Sequence, residues 1–149
     1  VVPQLARGLR DGIAIAMFLK LPELSPVATG KYRASHIPSA GSPRYVVLPD
    51  MPSYPIPGQP EIEAVLRGTP PETSVFIANA AAPEAYPDSS YAGLLEGGRR
   101  MYSRRSTGKA QWIGSTQAPD GIYGPAVRSL EARRATIVEA AIRRAEALI

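Results

Sequence analysis

Proline constrains this chain more than any other residue. Sixteen of its 149 residues are Pro, about double the usual ~5%. Five of them, Pro49, Pro52, Pro55, Pro57 and Pro60, fall between residues 49 and 60. Each removes a backbone donor and fixes φ, so the stretch favours extended polyproline geometry over helix or central strand. Met51, Tyr54 and Ile56 are interleaved with these prolines. Two readings stay open: a long surface loop, or an arm that leaves the domain and packs Tyr54 and Ile56 on a neighbouring subunit. An arm stiffened in advance loses less entropy on docking than a flexible one.

The rest of the chain is rich enough in apolar residues to fold. A 44% hydrophobic fraction with 20% charged residues suits one globular domain spanning residues 1–149. The longest apolar run, Ile13 to Leu19, is too short for a bilayer, and no charged n-region with a small-residue cleavage site frames it as a secretion signal. Without cysteine there is no disulfide, zinc–thiolate site or thiol nucleophile.

The spacing predicts an opening helix from Pro3, with Leu5, Leu9, Ile13 and Met17 as its buried stripe and with Pro22 and Pro26 ending it. Strands are expected from Lys31 to Ile37, from Arg44 to Leu48, from Thr73 to Asn79 and from Ala110 to Ile113. Short helices are expected from Glu61 to Arg67 and from Tyr91 to Glu96. A single amphipathic helix opened by Gly124-Pro125 closes the chain, with Leu130, Ile137, Val138, Ala141, Ile142, Ala145 and Leu148 as its apolar stripe. The fold class is therefore α+β: a small antiparallel sheet packed by an N-terminal and a long C-terminal helix, with a long proline-rich loop.

Chemistry is sparse. His36 is the sole histidine, and no His, Cys or paired-carboxylate motif accompanies it, so it reads as structural or solvated rather than catalytic or metal-binding. Glu61 and Glu63 lie two apart on a helix and point apart. No GxGxxG, GxxxxGK[ST] or GxSxG run is present. The expectation is a non-enzyme with no cofactor and no metal.

Charge is uneven. Residues 1–98 carry 7 Lys+Arg against 9 Asp+Glu, and residues 99–149 carry 10 against 4. Arg99, Arg100, Arg104 and Arg105 crowd an expected basic loop over residues 99–109 around Tyr102. No complete nucleic-acid motif accompanies them, which leaves non-specific contact with DNA, an acidic partner surface or a solvated face. Trp112 is a large anchor for a core or an interface.

In order along the chain, Pro26-Val27-Ala28-Thr29-Gly30-Lys31-Tyr32-Arg33-Ala34-Ser35, the strand ending in Asn79, the Tyr91-Ala92…Glu96-Gly97-Gly98 element and the closing helix resemble the neck, or tail-completion (head–tail joining), protein family of tailed bacteriophages. Pro26, Thr29, Gly30, Arg33, Asn79, Tyr91, Glu96 and Gly98 carry the likeness. Ala28 and the proline-rich segment depart from the family pattern. The resemblance implies a structural virion protein, assembled in the host cytoplasm. It would form a homo-oligomeric ring, hexameric or alternatively dodecameric, between the portal-side connector and the tail, around the DNA channel. Its expected partners are further copies of itself and the flanking connector and tail proteins. A tail terminator or stopper ring, or a free non-specific DNA-binding protein, are the alternatives.

Overall fold

The computed structural model describes residues 2–27, 30–82, 99–102, 110–113 and 121–147, with 99–102 and 110–113 described as backbone. Helix α1 (Val2–Leu24) is followed by a single turn, α2 (Lys31–Ala34), strand β1 (His36–Ala40), helix α3 (Gln59–Leu66) and strand β2 (Val75–Asn79). Strands β3 (Arg99–Tyr102) and β4 (Ala110–Ile113) come next, then helices α4 (Tyr123–Ala132) and α5 (Arg134–Ala147). Strands β1 and β2 pair antiparallel with His36 opposite Asn79 and Ala40 opposite Val75. A second antiparallel pair sets Arg99 of β3 opposite Ile113 of β4. The protein is α+β.

Helix α1 is the spine. Ala14, Ile15 and Phe18 pack on Ile62 and Leu66 of α3, with Val75 and Ile77 of β2 closing that cluster. Leu21 packs with Tyr32, Ala81, Ile122 and Ala126 in a second cluster. At about 100° per residue, Phe18 lies some 140° around the helix from Ile13, so the face carrying most of the core is not the Leu5–Leu9–Ile13–Met17 stripe. Leu5 is 37% and Ile13 49% exposed. Both faces of α1 are apolar, and periodicity alone does not rank them.

Pro22 does not end α1, which continues to Leu24. The missing donor costs one bond in the last turn, while Leu21 before it is fully buried. The end is tied off by the Ser25 amide on the Pro22 carbonyl (3.3 Å) and the Ser25 hydroxyl on the Leu21 carbonyl (2.7 Å).

Three further segments differ from expectation. Lys31 to Ala34 form a helical turn, not a strand, because Gly30 takes φ +80° and the Ala34 amide reaches its carbonyl (3.0 Å). Ser35 closes that turn with its hydroxyl on the Lys31 carbonyl (2.6 Å). Residues 44–48 make no ladder; Pro38, inside β1, removes one donor from the edge they would have to join. The closing helix is two, broken at Arg133, whose amide bonds the Leu130 carbonyl (3.0 Å). No Pro or Gly lies there; the bend lets α4 and α5 both pack on α1.

Helix α3 forms as expected, a little earlier than its apolar pattern suggests. Pro60 occupies its first turn and Glu61 reaches back to the Gly58 amide (2.9 Å), the return half of a capping box. Arg10 of α1 then holds the turn after α3. Its guanidinium donates to the carbonyls of Thr69 (3.2 Å), Thr73 (3.1 Å) and Pro70, and pairs with Asp11 (2.8 Å).

Candidate functional site

The residues of the joint around Gly30 meet in one buried polar knot. Asn79 ends β2 with its side-chain oxygen accepting from the Ala81 amide (3.0 Å), which turns its Nδ2 toward the Tyr32 carbonyl (2.9 Å) and His36 Nδ1 (3.3 Å). Tyr123, at the start of α4, puts its hydroxyl 3.1 Å from the same Nδ1. On the far side of the ring, His36 Nε2 lies 2.8 Å from the Ser25 hydroxyl. Tyr32 and Tyr123 stand edge-on to the imidazole at centroid separations of 5.3 and 5.7 Å.

These bonds fix the tautomer. Asn79 Nδ2 can only donate, so Nδ1 accepts and Nε2 carries the proton. Ser25 gives its own proton to the Leu21 carbonyl and accepts from Nε2. Activating a serine needs the reverse polarity, with Nε2 unprotonated and facing the hydroxyl. The Ser25–His36 pair is wired as a latch joining the end of α1, the α2 turn, β1, β2 and α4. His36 is 1% exposed, and burial lowers its pKa to about 4, so the ring is neutral at physiological pH.

Gly30 serves this knot through its φ of +80°. A Cβ there would stand 3.7 Å from the Arg33 guanidinium and 3.8 Å from Tyr54 Cβ, so Arg33 and the proline-rich arm both close over it. Pro26 is half-buried between α1 and the joint. Lys31, with a side chain 5% exposed, pairs with Asp50 of the arm at 2.6 Å.

The arm, which has no regular structure from residue 43 to 58, is thus anchored to its own domain. The Tyr54 hydroxyl donates to the Pro49 carbonyl (3.1 Å) and accepts from the Met51 amide (2.9 Å), closing the loop on itself. Leu48, Met51 and Pro55 sit over Phe18, Ile37 and Pro38 around a small cavity of about 240 Å³. Ile56 lines the same cavity and is 58% exposed.

Arg99 and Arg100 lie on strand β3, opposite Ile113 and Trp112, rather than in a loop; the basic segment begins as one arm of a hairpin. Arg104, Arg105, Thr29, Tyr91, Glu96 and Gly98, with the expected helix from Tyr91 to Glu96, lie outside the described residues. Among the described residues no group of three or more His, Asp or Glu side chains could hold a metal ion, and no helix is long and apolar enough to cross a membrane.

An apolar groove lies where core was expected. Leu9, Ile13 and Met17 of α1 face Val127 and Leu130 of α4 and Ile137 and Val138 of α5 across a groove of about 590 Å³. The sequence marks both stripes but does not say that they meet only along one edge. They are held apart because α1 and α5 cross elsewhere, at Gly8 against Ala141 and Ala145. Glu131 and Arg134 line the groove beside the apolar residues.

Comparison with protein-family models, with curated proteins and with solved structures returns no match for this chain.

Proposed function

We propose that this chain is a structural subunit of a tailed-phage neck, a tail-completion protein that forms a ring between the portal-side connector and the tail. The observation that carries the reading is the Asn79–Tyr32 bond (2.9 Å). It joins two separately placed pieces of the resemblance, the Pro26–Ser35 run and the strand ending in Asn79, in one structural unit. A likeness spread over distant short motifs gains weight when those motifs are used together. The knot also gives Gly30 and Asn79 a scaffolding task, and scaffold precision is what a ring subunit needs, since small angular errors accumulate around a closed ring. Contact with neighbours then falls to the arm, the β3–β4 hairpin and the open groove. A hexamer is the first expectation and a dodecamer the second.

The test is genetic. A nonsense mutation at Ser25 in a phage carrying this chain is expected to leave DNA-filled heads and finished tails that do not join, seen by electron microscopy and restored by complementation. Joined, infectious particles lacking the protein would refute the proposal.

A further inference from the structure

We infer that the free edge of β2 pairs with the same edge of a second copy of this chain, antiparallel about a twofold axis at Ile77. Two β1–β2 pairs then become one continuous sheet. The phase of the ladder sets which backbone groups are available. The Gly41 amide donates to the Ser74 carbonyl (2.9 Å), one step beyond the Ala40–Val75 pair. Bonded and non-bonded pairs alternate along an antiparallel ladder, so Ser39–Phe76 and Ile37–Ala78 carry the bonds between the strands. Pro38, opposite Ile77, falls where the ladder needs no donor. The N–H and C=O groups of Val75, Ile77 and Asn79 therefore point away from β1. Among the described residues, neither a third strand nor any other backbone group bonds them.

The two edges of this sheet are not alike. Strand β1 carries Pro38, whose missing donor faces outward, a device that blunts an exposed edge. Strand β2 reads Val-Phe-Ile-Ala-Asn, with no proline and no charge to guard it. Beside it a cleft of about 370 Å³ opens, lined by Ile13 and Met17 of α1, Val75 and Ile77 of β2 and Tyr123 of α4.

The row that β2 presents is complementary to itself. Residues 75, 77 and 79 are evenly spaced about the middle one. Turned antiparallel, Ile77 meets Ile77 of the second copy and Val75 meets its Asn79. Every outward N–H then faces an outward C=O, so opposite partial charges meet at each position and no formal charge lies within either strand. Directly opposed residues share a face, so the Ile77 pair extends the apolar surface beside the cleft. A two-stranded pair is marginal by itself and gains from further strands. A contact of this kind is isologous and closes as a dimer. It stands apart from the neck proposal, and failure of one leaves the other intact.

Amide hydrogen exchange read residue by residue, at low and high protein concentration, tests this on the unaltered chain, with sedimentation equilibrium giving the dimer fraction. Protection at Val75, Ile77 and Asn79 is expected to rise with that fraction, while Phe76 and Ala78 are protected throughout by β1. Val75→Pro removes an outward donor and no bond to β1, so it should weaken dimerisation about tenfold or more. Three results would overturn the inference: a chain that stays monomeric at millimolar concentration, a dimer whose added protection lies at other amides, or a Val75→Pro dimer as tight as that of the unaltered chain.

Discussion

Replacing Gly8 by Ala should destabilise this protein, although the same change in most helices stabilises. Gly8 lies inside α1, where Ala is preferred over Gly by about 1 kcal/mol. A Cβ at Gly8, however, would stand 2.6 Å from the Ala141 carbonyl oxygen and 3.5 Å from Ala145 Cβ. The obstacle is backbone, so α5 has to move away as a body, and overpacking of this kind costs about 1–3 kcal/mol. The net expectation is a loss of up to roughly 2 kcal/mol, a fall of up to about 8 °C in Tm for a domain of this size. Gly12, one turn on, is the control. A Cβ there would meet Ala141 Cβ at 3.8 Å and the Ile137 carbonyl at 4.0 Å, which is ordinary contact, so Gly12→Ala should gain about 0.5–1 kcal/mol. Thermal and urea unfolding followed by circular dichroism measure both, with the urea m-value checked for constancy. Ala141→Gly should not rescue Gly8→Ala, because the clash is with the carbonyl rather than the methyl. A Gly8→Ala protein as stable as the Gly12→Ala protein would refute the close crossing of α1 and α5.

Two further outcomes follow from the polar anchors. His36 has a folded-state pKa of about 4 against 6.5 for the free side chain, so the unfolded chain binds the extra proton first. The associated stability is present in full above pH 6.5 and is lost as pH falls toward 4, about 2 kcal/mol by pH 5. Urea midpoints should show this fall between pH 7.5 and 5, and His36→Gln, which keeps a donor and an acceptor, should flatten it. Arg10→Ala should cost about 2–4 kcal/mol, since it leaves the Thr69 and Thr73 carbonyls without the charged donor they share. Arg10→Lys should recover little of that loss in the same urea titration, because one ammonium cannot span the acceptors that a planar fork reaches.

Much of the local structure was legible because its causes are local. Glu61 and Pro60 mark the start of α3 in the sequence and act there in the structure. The strand centred on Phe76 is β2, and Glu139 pairs with Arg143 at 3.0 Å as helical spacing predicts. The helical turn at Lys31–Ala34 was missed, yet a signal existed: a glycine followed five residues later by a serine able to bond back onto the turn. The bend at Arg133 carries no such signal, since Ala132-Arg133-Arg134-Ala135 reads as continuous helix. Arg10 gave no warning either. Its acceptors are carbonyls some sixty residues away, and backbone acceptors have no sequence signature.

His36 and Gly30 mark the boundary between the two kinds of knowledge. The sequence by itself determined that the chain is α+β, that residues 49–60 favour loop or polyproline geometry over a central strand, and that Gly30 is a joint. Each of these follows from what a residue permits its own backbone to do. Only the tertiary structure decided which apolar face of α1 is buried, because that choice depends on what packs against it. Only the structure turned the lone histidine into the centre of a latch, since Ser25, Asn79 and Tyr123 reach it from separate elements. The same long-range packing opened the groove beside Ile13: Gly8 and Gly12 let α1 and α5 approach closely along one face, and the apolar stripe beside that face is left lining the groove.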